Sequence, residues 1–266
     1  MDLISQSREG DIVTLTLTVP TMAPAFFAEC ERRFTELSAD ASLRAVVVRS
    51  SAKGFSYGLD LPKAMGAWGP VMTGGGLAPK RAELHALIRQ LQRSFTAIAA
   101  CPVPVIAAVH GACLGGGVDL IAACDIRVAS ADAVFGVRET RIAIVADLGS
   151  LQRLPPIIGP GHTRELALTG RDIDATRARE IGLVTQVAAD RDGVWAAAQA
   201  VAAEIAANPP LTVRGVKQVL DYSAGKSVDD GLAYVASWNA AFLASEDLAE
   251  AATAFAQKRP PKFTGR

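Results

Sequence analysis

The sequence predicts an α/β protein in which a parallel sheet is followed by a region of helices. A buried strand is predicted over residues 103–109, because this run is short, rich in Val and Ile, and bounded by Pro102 and His110. The chain enters this strand from one predicted helix and leaves it into another, which is the order of a βαβ unit. From residue 194 onward the hydrophobic pattern is helical almost throughout.

Hydrophobic spacing predicts the elements before the central strand. Residues 11–19 alternate apolar residues with threonines, which is typical of a half-buried strand. Large apolar residues at helical spacing predict a helix over residues 22–37, and residues 45–48 predict a short strand. Residues 65–79 are rich in glycine and proline and predict a mobile loop, of a length that usually serves a site. A helix predicted over residues 81–100 then leads into the central strand.

The second half of the chain predicts two more strands and then helices. Short apolar runs predict strands over residues 125–129 and 133–137, and a helix over residues 148–158 is interrupted by two prolines. Four further helices are predicted over residues 194–207, 209–222, 228–244 and 247–258. We therefore expect a catalytic core over residues 1–193 and a helical region over residues 194–266, whose apolar faces would pack on another subunit or on the core.

Composition excludes several classes of function. The 266-residue chain has 27 basic and 27 acidic residues and a formal net charge of zero, so strong binding to nucleic acid or to an anionic membrane is not expected. Its four cysteines form no CxxC pair, and its three histidines are too scattered for a metal set. The first residues lack the pattern of a signal peptide and no apolar run approaches the length of a membrane span. These features predict a cytoplasmic protein with reduced thiols.

Three consecutive glycines, Gly115, Gly116 and Gly117, follow the central strand and begin a predicted helix. A backbone without Cβ atoms approaches a ligand closely, and a helix start adds free N–H donors and the positive end of the dipole. Such a place stabilises a developing oxyanion. A simple tight turn is the alternative explanation for Gly116.

Three acidic residues follow these glycines. Asp119 lies in the first turn of the predicted helix, where its charge suits the dipole even without a catalytic role. Glu139 lies between Arg138 and Arg141, so a surface ion pair is the alternative to catalysis. Asp147 lies among apolar and small residues, where burial tends to raise the pKa of a carboxyl group. Its alternative role is to cap the helix that follows.

Several ordered blocks of the chain resemble the crotonase superfamily, also called the enoyl-CoA hydratase/isomerase family. The matching blocks are residues 54–61, 102–126, 152–159 and 168–184. Within the superfamily, the chain is most similar to the Δ3,5-Δ2,4-dienoyl-CoA isomerases, through GGGVDL at 115–120, VRE at 137–139 and VADLGSLQRLP at 145–155. Enoyl-CoA hydratases usually have Glu at the place of Asp119 and Gly near the place of Asp147, so both residues disfavour a hydratase.

The resemblance implies a role for each site residue. The backbone N–H groups of Leu59 and Gly116 would form an oxyanion hole for the thioester carbonyl. Asp147 would remove a proton from C2, Glu139 would deliver one at C6, and Asp119 would tune or orient these two acids. Main chain near the segment 55–61 would hold the CoA part of the substrate, which names Phe55, Ser56, Tyr57, Gly58, Asp60 and Leu61 as binding residues. The basic candidates for the same task are Lys63, Lys258, Arg259 and Lys262.

The resemblance also implies a fold and an assembly. The family fold is a spiral of ββα units with perpendicular sheets, followed by helices that form trimers and often dimers of trimers. No metal or redox cofactor is expected, because coenzyme A is part of the substrate. The alternatives are an enoyl-CoA hydratase or another crotonase reaction on the same thioester, and a non-catalytic CoA-binding member of the family.

Overall fold

The computed structural model describes residues 2–73 and 78–266. The strands are β1 (Ile4–Glu9), β2 (Ile12–Leu17), β3 (Ala45–Ser50), β4 (Val105–Val109), β5 (Ala112–Leu114), β6 (Ile126–Ser130), β7 (Val134–Gly136), β8 (Asp172–Asp174) and β9 (Gln186–Ala188). The helices are α1 (Pro24–Ser38), α2 (Leu61–Met72), α3 (Ala78–Ala99), α4 (Gly116–Ala122), α5 (Ser150–Thr169), α6 (Ala175–Glu180), α7 (Arg191–Ala206), α8 (Pro210–Ser223), α9 (Val228–Phe242) and α10 (Glu246–Gln257), with a 3-10 turn at Glu139–Ile142. The predicted α/β class is confirmed.

Two sheets carry the site. The larger has the strand order β1-β2-β3-β4-β6-β9 and is parallel except for the antiparallel hairpin of β1 and β2. The smaller has the order β5-β7-β8, in which β5 and β7 are parallel and β7 and β8 antiparallel. The chain passes from β4 in the larger sheet to β5 in the smaller, and α4 begins two residues after β5 ends.

Helices cover both faces of the larger sheet. Helix α1 buries the five apolar residues whose spacing predicted it, namely Phe26, Phe27, Cys30, Phe34 and Leu37. On the opposite face, α7 packs Val194, Ala198 and Ala202 against Val47, Ile106 and Val128 of the strands. Helix α7 therefore belongs to the layers of the core, although the expected boundary at residues 193 and 194 falls inside it.

The prediction of a loop over residues 65–79 is wrong for residues 65–72, which belong to α2, and its residues 74–77 lie outside the described part of the chain. Asp60 caps α2 by accepting the N–H of Lys63 at 3.2 Å. Trp68 packs on Phe27, with the ring centroids 6.2 Å apart. Capping and packing thus outweigh the low helix propensity of Gly66, Gly69 and Pro70.

Helix α5 also differs from its prediction. It extends from Ser150 to Thr169, and its break lies at Gly159, with φ 81° and ψ 155°, rather than at Pro155 and Pro156. The two prolines lie in the second turn of α5, and the helix continues through them to Gly159. The very short elements β5, β8, α6 and β9 have no separate signal in the hydrophobic pattern.

The last three helices pack loosely on the rest of the chain. Helix α8 is held by Arg214, whose Nη2 donates to the Leu43 carbonyl at 3.1 Å, and by buried Lys217, whose Nζ lies 2.6 Å from Asp125 Oδ2. None of the residues of α9, all of which are described, is buried. Exposed apolar side chains follow this region from α8 to α10, namely Val216, Leu220, Val228, Leu232, Phe242, Leu243, Leu248 and Phe255. No helix in the described ranges is both long and apolar enough to span a bilayer.

Candidate active site

A cavity of about 360 Å³ lies where the start of α4, the segment before α2 and the loop between β7 and α5 meet. All three acids and both predicted oxyanion residues line it: Leu59, Gly116, Asp119, Glu139 and Asp147. The other lining residues are Phe27, Tyr57, Gly58, Leu61, Leu114, Gly115, Arg138, Arg141, Ile142, Ile144 and Leu148. The structure therefore brings together every residue that was assigned to the chemistry.

The N–H of Leu59 is free because of how its segment is held. Met22 donates to the Gly58 carbonyl at 2.8 Å and accepts the N–H of Asp60 at 3.0 Å, which forms a parallel bridge with Leu59. In this bridge the carbonyl of Gly58 and the N–H of Asp60 point toward Met22, so the N–H of Leu59 points away from Met22. Within the described residues it has no protein acceptor.

The second free donor is the N–H of Gly116, the first residue of α4. The first N–H groups of a helix have no partner inside it, and that of Gly116 finds no acceptor elsewhere in the described residues. Gly115 precedes it with φ 52° and ψ −121°, a conformation that favours glycine. A Cβ atom on Gly58 would lie 2.9 Å from the Leu114 carbonyl oxygen and 3.3 Å from the Gly116 nitrogen. The absence of that atom lets the two donor segments approach each other.

Asp119 is 1% exposed and lies one turn after Gly116. Helical side chains lean toward the N-terminus, so its carboxyl group is directed to the same end as the free N–H. Its Oδ1 accepts the N–H of Ser150 at 2.6 Å. Burial, with the nearby charge of Glu139, raises the pKa of Asp119 to about 7. The carboxyl group of Asp119 thus binds the start of α5, which is a role additional to the predicted interaction of its charge with the dipole of α4.

Glu139 begins the 3-10 turn that follows β7. The neighbouring Arg138 binds Asp172 with both arms of its guanidinium, with Nε 2.8 Å from Oδ1, and so does not pair with Glu139. The Oε2 atom of Glu139 is buried and has no hydrogen-bond partner in the described part of the chain. Burial, and the charge of Asp147, raise the pKa of Glu139. The alternative of a surface ion pair is therefore not what the structure has.

Asp147 is half-buried and lies between the 3-10 turn and α5. Burial raises the pKa of its carboxyl group. The alternative role as an N-cap is wrong, because Gly149 occupies the cap position of α5 and no side chain caps that helix. Its carboxyl group is left to face the cavity with the other two acids.

The segment expected to hold CoA divides into two groups. Tyr57, Gly58 and Leu61 line the cavity, whereas Phe55, Ser56 and Asp60 do not. Phe55 and Ser56 are buried and donate their N–H groups to the carbonyls of His110 and Ala112, each at 2.8 Å. Asp60 caps α2 and pairs with Lys63, Oδ2 to Nζ 3.0 Å. These three residues hold the donor segment in place rather than forming part of the cavity wall.

The basic candidates also divide. Lys63 lies at the start of α2, next to Leu61 of the cavity wall. The other three lie in the C-terminal segment and do not line the cavity. There, Arg259 holds Glu250 through two bonds of 2.6 and 2.8 Å, and the N–H of Lys262 donates to the same carboxylate. Lys63 does not line the cavity either and pairs with Asp60, so among the four candidates it is only the one nearest to the cavity wall in sequence.

Sequence reasoning missed most of the apolar wall and the arginines beside it. Phe27 belongs to α1, and Ile142, Ile144 and Leu148 surround the two acids that follow β7. Ile142 and Ile144 lie shortly before Asp147 in the sequence, and their spacing is compatible with an apolar cavity wall. The same spacing fits a buried strand equally well. No group of three possible metal ligands comes together within the ranges that the structure describes.

The cavity combines two free N–H donors, three acids with raised pKa values and an apolar wall. Acids of this kind are typical of proton transfer, and such donors are typical of oxyanion stabilisation. The sequence matches the enoyl-CoA hydratase/isomerase family over residues 7–266. The chain belongs to this family, and the predicted crotonase fold is confirmed.

Three comparisons support the placement. The chain is 44% identical to a mitochondrial Δ(3,5)-Δ(2,4)-dienoyl-CoA isomerase of Dictyostelium discoideum, over 91% of this chain and 83% of the relative. It is 39% identical to a peroxisomal isomerase of the same name from Arabidopsis thaliana, over 99% and 96%. The crystal structure of an enoyl-CoA hydratase from Bacillus anthracis superposes with a TM-score of 0.89 at 29% identity, covering 100% of both chains.

The prediction of a cytoplasmic location is contradicted by these relatives, since their names place them in mitochondria and in peroxisomes. Neutral charge and unpaired cysteines suit an organelle interior as well as the cytosol, so composition does not separate these compartments.

Proposed function

We propose that this protein is a Δ3,5-Δ2,4-dienoyl-CoA isomerase, which converts a 3,5-dienoyl-CoA into the 2,4-dienoyl-CoA. The observation that carries the proposal is the convergence of three carboxyl groups and two free backbone N–H groups on one cavity. The names of the relatives agree with this activity.

The N–H groups of Leu59 and Gly116 would receive the thioester oxygen. Loss of a C2 proton places negative charge on this oxygen, and both donors are already oriented by Met22 and by the start of α4. One donor of this kind is typically worth about 10² to 10³ in rate.

Asp147 and Glu139 would carry the protons. Asp147 removes the proton from C2, the electrons shift through the conjugated system, and Glu139 supplies a proton at C6. The C2–H bond breaks, the C6–H bond forms, and the double bonds move from C3 and C5 to C2 and C4. Raised pKa values suit both tasks, because Glu139 must hold a proton and Asp147 must be basic enough to take one.

Asp119 would act on these two acids through charge and position. Its Oδ1 is held by the N–H of Ser150, and burial together with the charge of Glu139 raises the pKa of Asp119 to about 7, so these two carboxyl groups resist being ionised together.

The substrate handle and the assembly complete the proposal. Tyr57, Gly58 and Leu61 would contact the pantetheine arm, with Lys63 near a phosphate. The exposed apolar side chains of α8, α9 and α10 would form the contacts of a trimer or hexamer, and residues before them would form the catalytic core. Coenzyme A enters as part of the substrate, and the reaction requires no metal or redox cofactor.

A hydratase is the second candidate, favoured by the fold similarity to the Bacillus anthracis enzyme. Hydration needs a water molecule held between two acids. A third carboxyl group at Asp147 in an apolar wall would crowd that water, so Asp147 disfavours this candidate. A non-catalytic CoA-binding protein is the third candidate. Burying three acids in one cavity is energetically unfavourable, and CoA binding alone does not explain it.

The test compares two substrates. Purified protein is incubated with a 3,5-dienoyl-CoA and with crotonyl-CoA, and each reaction is followed by ultraviolet absorbance. We expect rapid isomerisation of the dienoyl thioester and poor hydration of crotonyl-CoA. Efficient hydration without isomerisation would favour the hydratase, and binding without either reaction would favour the third candidate.

A further inference from the structure

The backbone of Asp147 is held from a distant helix. Its carbonyl oxygen accepts a hydrogen bond from Gln92 Nε2 at 2.7 Å, and the two residues are 55 positions apart in the chain. Asp147 lies in a connection outside helices and strands, where regular backbone bonding does not fix its position. The contact is partly buried, which limits competition from water.

The amide group of Gln92 is itself oriented. Its Oε1 accepts a hydrogen bond from Arg89 Nη1 at 2.6 Å, one turn earlier on α3. With the oxygen engaged by a guanidinium, the NH₂ group is the part of the amide that faces Asp147. Helix α3 is anchored in turn through Phe95, whose ring lies 5.9 Å from that of Phe27 on α1.

The next residues of the same turn are held separately. Arg153 Nη1 donates to the Leu148 carbonyl at 3.2 Å, and the N–H of Ser150 donates to Asp119. These bonds fix the start of α5 and do not involve the backbone carbonyl of Asp147, which is bound by Gln92. Gln92 is therefore the side chain that bonds to the backbone of Asp147 within the described residues.

We infer that Gln92 is a positioning residue for Asp147 in the isomerisation. The inference rests on the proposed function, in which Asp147 removes the C2 proton. Gln92 does not line the cavity, so its loss should leave substrate binding intact. A displacement of about 1 Å of a reacting group costs up to about 10² in rate, so the effect should appear in kcat.

The test uses three variants with matched shapes. Gln92→Met keeps the length of the side chain without its donor, and Gln92→Glu keeps the acceptor for Arg89 but replaces the donor with an oxygen. Gln90→Met is the control, because Gln90 is exposed on the same helix and its side chain makes no hydrogen bond within the described residues. Thermal unfolding of each variant is measured alongside its kinetics.

We expect both Gln92 variants to lower kcat for a 3,5-dienoyl-CoA by about tenfold or more, with KM and Tm close to those of Gln90→Met. Exchange of the C2 proton of a bound saturated acyl-CoA with D₂O, followed by NMR, should slow equally, because it needs the base and the two N–H donors but not Glu139. Equal kcat in the Gln92 and Gln90 variants, or a loss confined to KM or Tm, would overturn the inference while the proposed function stands. If the wild type neither isomerises nor exchanges, Asp147 is not a base and both proposals fall.

Discussion

The carboxyl group of Asp119 and the backbone N–H of Ser150 are joined by a 2.6 Å hydrogen bond. Asp119 belongs to α4 and Ser150 begins α5, so one bond links the helix that carries a free N–H donor to the helix that follows Asp147. The acid is thereby both part of the cavity wall and a fixed point for the loop that holds the other two acids.

Asp119 should make stability depend on pH. Its pKa is raised from 3.8 to about 7 in the folded protein, so the unfolded chain ionises first as pH rises. The contribution of Asp119 therefore lowers the free energy of unfolding as pH rises from about 4 to about 7, by at most about 4 kcal/mol. Asp119→Asn still accepts from Ser150 but does not ionise. We expect its Tm advantage over wild type to be small at pH 4 and to grow up to about pH 7. An advantage that stayed constant from pH 4 to pH 8 would contradict the raised pKa.

Asp147→Asn should abolish isomerisation, because asparagine keeps the shape of the side chain but does not accept the proton. Binding of a non-reactive acyl-CoA, measured by calorimetry, should remain nearly unchanged. Asp192→Asn provides the control, since this acid is exposed in the first turn of α7 and far in sequence from the cavity residues. An Asp147→Asn enzyme with the wild-type rate would remove Asp147 from the role of base.

Gly58→Ala should disrupt the proposed oxyanion hole, because its φ is 82° and the new Cβ atom would press on the Leu114 carbonyl and the Gly116 nitrogen. Gly10→Ala is the matched control, with φ 57° and open space around it. Both pay about 1 to 2 kcal/mol for the left-handed backbone. We expect only Gly58→Ala to lower kcat, by about 10² or more. Equal kinetics in the two variants would show that the approach of the two segments is not needed.

The assembly prediction concerns mass in solution. Apolar side chains on α8 and α10, such as Leu220 at 67% and Phe255 at 88% exposure, would be covered in a trimer or hexamer. Light scattering at micromolar concentration should return three or six times the 27.7 kDa of the chain. Leu220→Asp should reduce that mass, whereas Lys80→Asp, at an exposed position outside the last three helices, should not. A monomer mass for the wild type would remove the assembly from the proposal.

Much of the fold was predictable because many elements carry their own pattern. The residues that define α1 recur at helical spacing and those that define β4 form one short apolar run, and both elements were predicted close to their true bounds. Helix α2 was not, since Gly66 and Pro70 argue against it locally and the stabilising partner of Trp68 lies on α1. The three-residue strand β5 depends on β7, which lies elsewhere in the chain, and has no pattern of its own.

The site was predictable in its acids and less so in its supports. Asp119, Glu139 and Asp147 were singled out by their positions after the three glycines, and the family resemblance implied their roles. The alternative for Glu139 was an ion pair, which Arg138 instead makes with Asp172. Gln92 gave no signal, because nothing near it in sequence points to Asp147. Hydrogen bonds between distant segments are decided by tertiary structure, and one sequence does not reveal them.

The bridge between Met22 and Leu59 has a consequence for refolding. The free N–H donors of Leu59 and Gly116 belong to separate stretches of chain. Met22, which lies in a third stretch, fixes the position of Leu59. Contacts between such distant stretches form late, after the loops between them have closed. A chain in which these segments have not yet met therefore lacks the proposed oxyanion hole. After dilution of the denaturant, enzymatic activity should return at the rate of the slowest step of structure formation. The activity regained would then be proportional to the fraction of native molecules.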